Sequence, residues 1–357
     1  MEREEILSWL RESDTDRLDA LWRRADDTRR SCVGDAVHLR GLVEFANRCA
    51  RSCAYCGLRA DHHELPRYRM TPEEILRCAD QIVDSGCGTI VLQSGEDPSL
   101  PAEWLADVVG RIKSRTPLAV TLSVGERDER DWALWRQAGA DRYLLRFETS
   151  NRALFDRIHP PLPDRRSDRL ADLRTLRRLN YEVGSGVMIG IPGQTYEDLA
   201  NDIEIFAAMS LDMIGVGPFI AHPRTPLGRA GSAGDPPAGQ VPPTEEMTYK
   251  VIALARLVCP RANIPSTTAL ATLNRQTGRE LGLMRGANVV MPNLTPTRYR
   301  QWYEIYPNKA CVTESPGDCV PCMRSRIQAI DRRVGVGHGN SRNRSARASQ
   351  PIEFQEP

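Results

Sequence analysis

Phe45-Ala-Asn-Arg-Cys49-Ala-Arg-Ser-Cys53-Ala-Tyr-Cys56 carries more information than any other stretch of the chain. Its cysteines are spaced Cys-x3-Cys-x2-Cys, with an aromatic residue, Tyr55, just before the last. Thiolates hold iron–sulfur clusters, and a four-iron cubane ordinarily takes four of them. Three thiolates from one loop leave one iron open to a small molecule, and an open metal position is a reactive one. Zinc is the competing reading. It prefers four ligands in paired short spacings, and no close fourth Cys or His completes such a set. His62 and His63 come six and seven residues after Cys56. A group of unrelated buried thiols is the remaining alternative.

Upstream, residues 37–45 have a strand pattern and run straight into the cysteine loop. Downstream, strand and helix patterns alternate. Strands are expected at 89–93, 119–123, 143–147, 182–189, 213–217, 263–266 and 288–291. Helices are expected at 103–115, 131–138, 168–179, 196–209, 244–258 and 278–285. Thr71-Pro72-Glu73-Glu74 adds another helix start, with an N-cap Thr, Pro at the first position and acids in the first turn. Alternation of this kind implies a parallel sheet. Eight such units suggest an α/β fold, a closed (β/α)8 TIM barrel, with chemistry at the C-terminal ends of the strands. The informative polar residues fall there: Cys49 after the first strand, Ser94-Gly95-Glu96 after the second, Ser123 ending the third, Glu148 after the fourth, Met188 ending the fifth and Asn293 after the eighth. A doubly wound open sheet competes, but no G-x-G-x-x-G turn follows the first strand. The expected organisation is an N-terminal helical extension over 1–35, a barrel over 36–330 that includes a cysteine loop at 311–322, and a disordered tail over 331–357. Residues 1–30 read as one amphipathic helix, and 229–243, rich in Gly, Pro, Ser and Ala, as a long surface loop.

Composition narrows the function. The 357 residues carry 48 basic and 47 acidic side chains, a net charge of +1 that gives no basic surface for nucleic acid. The longest apolar runs fall far short of a membrane span, and the acidic start Met1-Glu-Arg-Glu-Glu5 is no signal peptide. A cytoplasmic location is the default expectation. Ten cysteines in such a chain read as metal ligands or buried thiols rather than disulfides. Cys32, Cys78, Cys87 and Cys259 are scattered and read as small buried hydrophobes.

Several further groups carry chemistry. Arg146 and Glu148 are two apart on a strand and share a face, either at the barrel mouth or as a structural ion pair inside it. The strand Gly184-Ser-Gly-Val-Met188-Ile-Gly190 has glycines that let a ligand lie against backbone and apolar surface at Met188. Arg169 opens a helix and by itself reads as a solvated surface residue. Cys311, Cys319 and Cys322 form a second triplet, Cys-x7-Cys-x2-Cys, in a stretch with Pro316, Gly317 and Pro321 that reads as a loop able to wrap a metal. An iron–sulfur cluster, a structural zinc or an empty site all fit that spacing.

The first triplet with Ser94-Gly95-Glu96 resembles the radical S-adenosylmethionine (SAM) enzymes. From about residue 30 to 330 the chain resembles, more specifically, the HydE family, the radical-SAM maturases of FeFe-hydrogenase. The carrying stretches are Arg67-Tyr-Arg-Met-Thr-Pro-Glu-Glu74, Leu92-Gln-Ser-Gly-Glu-Asp-Pro98, Ala140-Asp-Arg-Tyr-Leu-Leu-Arg146, Val216-Gly-Pro-Phe-Ile220, Ile264-Pro-Ser-Thr-Thr-Ala269 and Gly286-Ala-Asn-Val-Val-Met-Pro-Asn293. Phe147 stands where His is common in that family. The resemblance implies a 4Fe-4S cluster on Cys49, Cys53 and Cys56, with SAM on the open iron. It implies a SAM site of Tyr55 beside the adenine, Ser94, Gly95, Glu96, Ser123, Glu148, Arg169 and Met188. The inner cavity, with Ser94, Thr121, Arg146, Thr267, Thr268, Tyr303 and Tyr306, would hold the substrate. That substrate is implied to be an iron complex carrying CO, cyanide and cysteine, with Arg146 its main cationic contact. A second cluster, 2Fe-2S or 4Fe-4S, would sit on Cys311, Cys319 and Cys322. Implied partners are the sister maturases HydG and HydF and a reduced donor such as ferredoxin or flavodoxin. The alternatives are a related radical-SAM mutase of the methylornithine synthase or biotin synthase type, and a non-catalytic iron–sulfur scaffold.

Overall fold

The structure, a computed structural model, describes residues 1–162, 166–230 and 239–343. Its strands are β1 (Ala36–Ala46), β2 (Thr89–Ser94), β3 (Ala119–Ser123), β4 (Arg142–Leu144), β5 (Glu182–Ser185), β6 (Met188–Ile189), β7 (Met213–Ile214), β8 (Gly217–Pro218), β9 (Val289–Val290) and β10 (Arg333–Val334). Parallel pairing runs β1-β2-β3-β4-β5-β7. It continues through single parallel bridges, Met213 with Asn263 and Pro265 with Val289, and returns from β9 to β1. The ring is the expected parallel α/β barrel. The expected strand at 263–266 is reduced to those bridges because Pro265 has no N–H to give to a ladder. The expected strand at 182–189 breaks between β5 and β6, and β6 pairs with β8 at the top of the barrel.

Local chemistry sets the helices. Thr71 and Glu74 form a capping box on Pro72–Asp84, and Thr195 and Asp198 form another on Tyr196–Ala208. Residues 1–30 are not one helix. Arg3–Arg11 ends at Glu12, and Asp14 restarts the chain as Thr15–Val33 by accepting from Arg17 N at 2.9 Å. Both helices bury their apolar stripes, Ile6, Leu10, Leu18, Leu21 and Trp22, against the barrel helices Tyr196–Ala208 and Glu245–Val258. No helix among the described residues is long and apolar enough to cross a membrane.

Two expectations of irregularity change. Residues 333–343, expected within a disordered tail, are ordered and close the floor of the barrel. β10 pairs with the start of β1. Beyond it, Arg142 donates to His338 O at 2.9 Å and Asn340 Oδ1 at 2.6 Å. Arg40 and Asn263 donate to Gly339 O at 3.1 and 3.0 Å, and Ser341 N to Glu182 Oε1 at 3.2 Å. The polar, glycine-rich composition that reads as disorder is here the complement of a polar floor. A Cβ on Gly88 would lie 1.9 Å from Gly337 O, so only glycine admits the segment there. Residues 344–357 lie outside the described residues, as does 231–238 within the expected 229–243 loop. Its flanks are a short helix, Pro226–Ala230, and a return in which Val241 N donates to Gln194 O at 2.9 Å.

Candidate active site

The cysteine loop leaves the top of β1 and is tied down on every side. Ala50 N donates to Glu96 O at 2.7 Å, Ala54 N to Ile158 O at 2.8 Å and Gly57 N to Ile305 O at 3.0 Å. Arg67 staples it further, donating to the carbonyls of Asn47 (2.7 Å), Leu58 (2.8 Å), Arg59 (2.7 Å) and His62 (3.3 Å). Cys53 is buried, and Cys49 and Cys56 are half-buried. Burial and the other two sulfurs push the Cys53 thiol well up, and burial with Cys49 pushes Cys56 up to about 12. Three crowded thiols that hinder one another's ionisation are stabilised as thiolates by a metal, so the residues fit a cluster.

Behind the loop lies an ionic network the sequence reading did not find. Arg51 pairs with Glu96 and, at 2.9 Å, with Glu126. Arg169 Nε donates to Glu126 Oε1 at 2.8 Å, and its Nη1 to Arg146 O at 2.6 Å. Burial opposes the Glu126 charge, but the neighbouring His159 ring and the Arg169 and Arg51 guanidinium groups outweigh it and hold the carboxyl well below its usual range. Arg169 is therefore no solvated surface residue. Glu96 is likewise engaged, its Oε2 accepting from Glu126 N at 3.0 Å. His159 completes the group, with Nδ1 3.0 Å from Cys53 Sγ. Burial and the Arg169 charge push it down to about 4. Glu126 follows β3 at a barrel mouth, and a charged residue in that position was the available signal.

Beside this network Met188 packs with Leu154, Ile158, Ile191 and Phe219, and Tyr55 lies against the cluster they make. Tyr55 Oη donates to Glu148 Oε1 at 3.4 Å. Glu148 sits at φ +62°, a left-handed conformation unusual for Glu. Its Oε2 is 3.0 Å from Arg146 Nη2. The pair lies beyond the end of β4 rather than on a strand, and Arg146 also lines the barrel cavity.

The cavity has a volume of about 190 Å³, room for roughly a dozen water-sized groups and hence for a small molecule rather than a chain segment. Thr121, Arg146, Thr267, Thr268 and Tyr306 line it as expected, and Ser123, expected at the SAM site, lines it as well. Ser94 and Tyr303 do not. Ser94 Oγ turns to Gly95 O at 2.7 Å, and the Tyr303 ring stacks under Lys309 and faces a neighbouring pocket. Four charged lining groups were missed: Arg40, Glu44, Arg279 and Lys309. Lys309 Nζ is 2.5 Å from Glu44 Oε1, both buried. A lone acid in the apolar strand Leu42-Val-Glu44-Phe was the legible clue. Thr121 Oγ1, Thr267 Oγ1, Arg146 Nε, Arg40 Nε and Arg279 Nη1 are buried without a protein partner. The wall thus offers donors to an acceptor-rich ligand.

The second triplet is not a loop throughout. Cys319 and Cys322 lie on the helix Pro316–Gln328, which Pro316 begins at a position suited to proline. Cys311, at φ +63°, lies beside Cys319 and lines the barrel cavity, with Arg279 Nη2 3.7 Å from its sulfur. The Cys319 hydrogen bond and the Arg279 charge make Cys311 the more acidic thiol of the pair, against burial. Cys322 is exposed. Of the scattered cysteines, Cys78, Cys87 and Cys259 are buried as expected and Cys32 is only partly so.

Residues 43–206 match the profile of the Radical SAM superfamily. The chain is 46% identical to the [FeFe] hydrogenase maturase subunit HydE of Thermotoga maritima over 321 residues, 90% of this chain and 88% of that one. It is 26% identical to the 3-methylornithine synthase of Methanosarcina acetivorans over 275 residues, 76% of this chain and 74% of that one. The crystal structure of methylornithine synthase superposes with a TM-score of 0.79 at 22% identity, covering 94% of each chain, and so shares the fold. On this identity along nearly the full length of both sequences, the chain belongs to the HydE family of the radical SAM superfamily.

Proposed function

We propose that this protein is an FeFe-hydrogenase maturase that acts on a small anionic iron complex bound inside its barrel. When bound, the 4Fe-4S cluster and SAM supply a 5′-deoxyadenosyl radical by one-electron reductive cleavage of SAM, with methionine as the other product. Cys49, Cys53 and Cys56 hold the cluster, and Arg67 fixes their loop. Because Glu96 and Arg169 are engaged in the ionic network, they support the site from behind, and the backbone of the Ser94-Gly95 turn is left to meet the SAM amino group. Tyr55 and Met188 flank the adenine, with Ser123 and Glu148 on its polar side. The observation that carries the substrate reading is the row of unpartnered donors around the cavity, together with Arg40, Arg146, Arg279 and Lys309 against the single carboxylate Glu44. Cyanide and carboxylate groups on an iron–CO–cyanide–cysteine complex are the acceptors such a wall suits. Resemblance to the family supports HydG as source of the complex, HydF as recipient, ferredoxin or flavodoxin as donor, a cytoplasmic setting, and a second 2Fe-2S or 4Fe-4S cluster on Cys311, Cys319 and Cys322.

The test is in vitro maturation of apo-hydrogenase with the wild type and with Cys53→Ser. The wild type should support maturation and the variant neither maturation nor 5′-deoxyadenosine formation. Normal 5′-deoxyadenosine formation by the variant under dithionite rules the reading out.

A further inference from the structure

His159 is 1% exposed, sits in the ionic network and has no role in the account above. Its Nδ1 is 3.0 Å from Cys53 Sγ, and its Nε2 is 3.0 Å from Arg169 Nη2 and 3.4 Å from Glu126 Oε1. Arg169 decides which ring nitrogen holds the proton. A guanidinium carries donors only and stays charged. Nε2 must therefore accept from Arg169, while Glu126 Oε1 receives Arg169 Nε at 2.8 Å. An imidazolium, or the opposite tautomer, would set an Nε2–H against that guanidinium. The one proton of the neutral ring is left on Nδ1, pointing at Cys53. The orientation is fixed from both sides. His159 N donates to Phe155 O at 2.8 Å, and the preceding carbonyl, Ile158 O, receives Ala54 N of the cysteine loop at 2.8 Å.

We propose that His159 is a positioning residue for the cluster, a fixed Nδ1–H donor to the Cys53 thiolate that sets how readily the cluster takes up its electron. The inference rests on the reading that Cys49, Cys53 and Cys56 hold that cluster. Hydrogen bonds to ligand sulfurs tune cluster potentials, and partners outside the ligand set orient and tune the ligands themselves. A donor on the sulfur stabilises the added negative charge and raises the potential. The Cys53 ligand thus differs from Cys49 and Cys56, for which no comparable side-chain donor is found among the described residues.

The test uses the anaerobically reconstituted full chain and its His159→Phe and His159→Gln variants, with iron and sulfide content measured alongside a redox titration followed by EPR. His159→Phe should lower the reduced-to-oxidised ratio at fixed potential roughly tenfold, a shift of about 59 mV to the negative for a one-electron couple. His159→Gln, whose amide can donate, should return toward the wild type. An unmoved midpoint in a fully loaded Phe variant, or equal shifts in Phe and Gln, overturns the proposal. Should the Phe variant load poorly, nitrogen-15 chemical shifts of histidine in the wild-type apoprotein decide instead. A protonated Nδ1 with a bare Nε2 supports the assignment, and a protonated Nε2 refutes it. Wild-type protein that binds no cluster would sink the cysteine-loop reading itself, so the two failures are distinct.

Discussion

Gly95 is where the second strand's turn meets the cysteine loop, and Gly95→Ala tests how tightly the two are fitted. A Cβ there would lie 2.3 Å from Arg48 O and 2.8 Å from Cys49 Cβ. Ordinary contact begins at 3.4 Å, so the Arg48 carbonyl would have to retreat by about 1.1 Å. That carbonyl is backbone and cannot rotate away. Its displacement carries Cys49, the next residue, with it. A shift near 1 Å in a ligand costs on the order of 100-fold in a reaction that depends on near-attack geometry. We expect Gly95→Ala to lose at least half of its reconstituted iron and to form 5′-deoxyadenosine roughly 100-fold more slowly, with a folded barrel by circular dichroism. Gly110→Ala is the matched control. It lies in the helix Ala102–Arg115 with nothing within 4 Å of the added carbon, so it should keep full iron and gain about 0.5–1 kcal/mol of stability. Wild-type iron and turnover in Gly95→Ala would refute the claim that the turn sets the position of the cysteines.

Arg146→Leu should leave the cluster and SAM loaded but reduce hydrogenase maturation ~100-fold or more, measured on one preparation with SAM binding and uncoupled SAM cleavage. Unchanged maturation removes Arg146 from the substrate site, and lost SAM binding moves it to the cofactor site. The Cys311→Ser, Cys319→Ser, Cys322→Ser triple variant should lose iron yet still cleave SAM and mature hydrogenase; complete loss of maturation in a folded protein would make that site essential. Asp202 is fully buried, and burial raises its pKa to about 7. The native state then holds a proton that the unfolded chain releases near pH 4, so this group's stabilising contribution is full below that pH and is lost as pH rises to about 7, on the order of 1 kcal/mol per unit. Asp202→Asn, which can keep the acceptor for Ser150 N (2.6 Å), should flatten that part of the urea-melt pH profile.

Periodicity found the barrel because each strand's apolar run is a local signal. It overran at 182–189, where the ladder breaks between β5 and β6, and at 263–266, where Pro265 has no N–H to give. The cysteine loop and Ser94-Gly95-Glu96 were legible because their spacing is itself the chemistry. His159 and Arg51 were not, and Glu126 was marked only by its place after the third strand, since no pattern links residues that meet only when three barrel loops converge. Orientation was equally hidden. Ser94 was placed at the correct strand end, yet its hydroxyl turns to Gly95 O rather than into the cavity.

The floor formed by residues 333–343 bears on the order of assembly. Arg40 and Arg142 stand on strands made early, while the carbonyls that receive them come 299 and 196 positions later. Until that late segment docks, water must stand in for these carbonyls at the barrel base, and Arg142 keeps only its nearer partners, Glu182 and Thr89. Contacts this remote are slow to form, and the chain exposes its open barrel while they are pending. A chain shortened before residue 333 should fail first in soluble yield, while the distant cysteine loop would still be competent to collect iron.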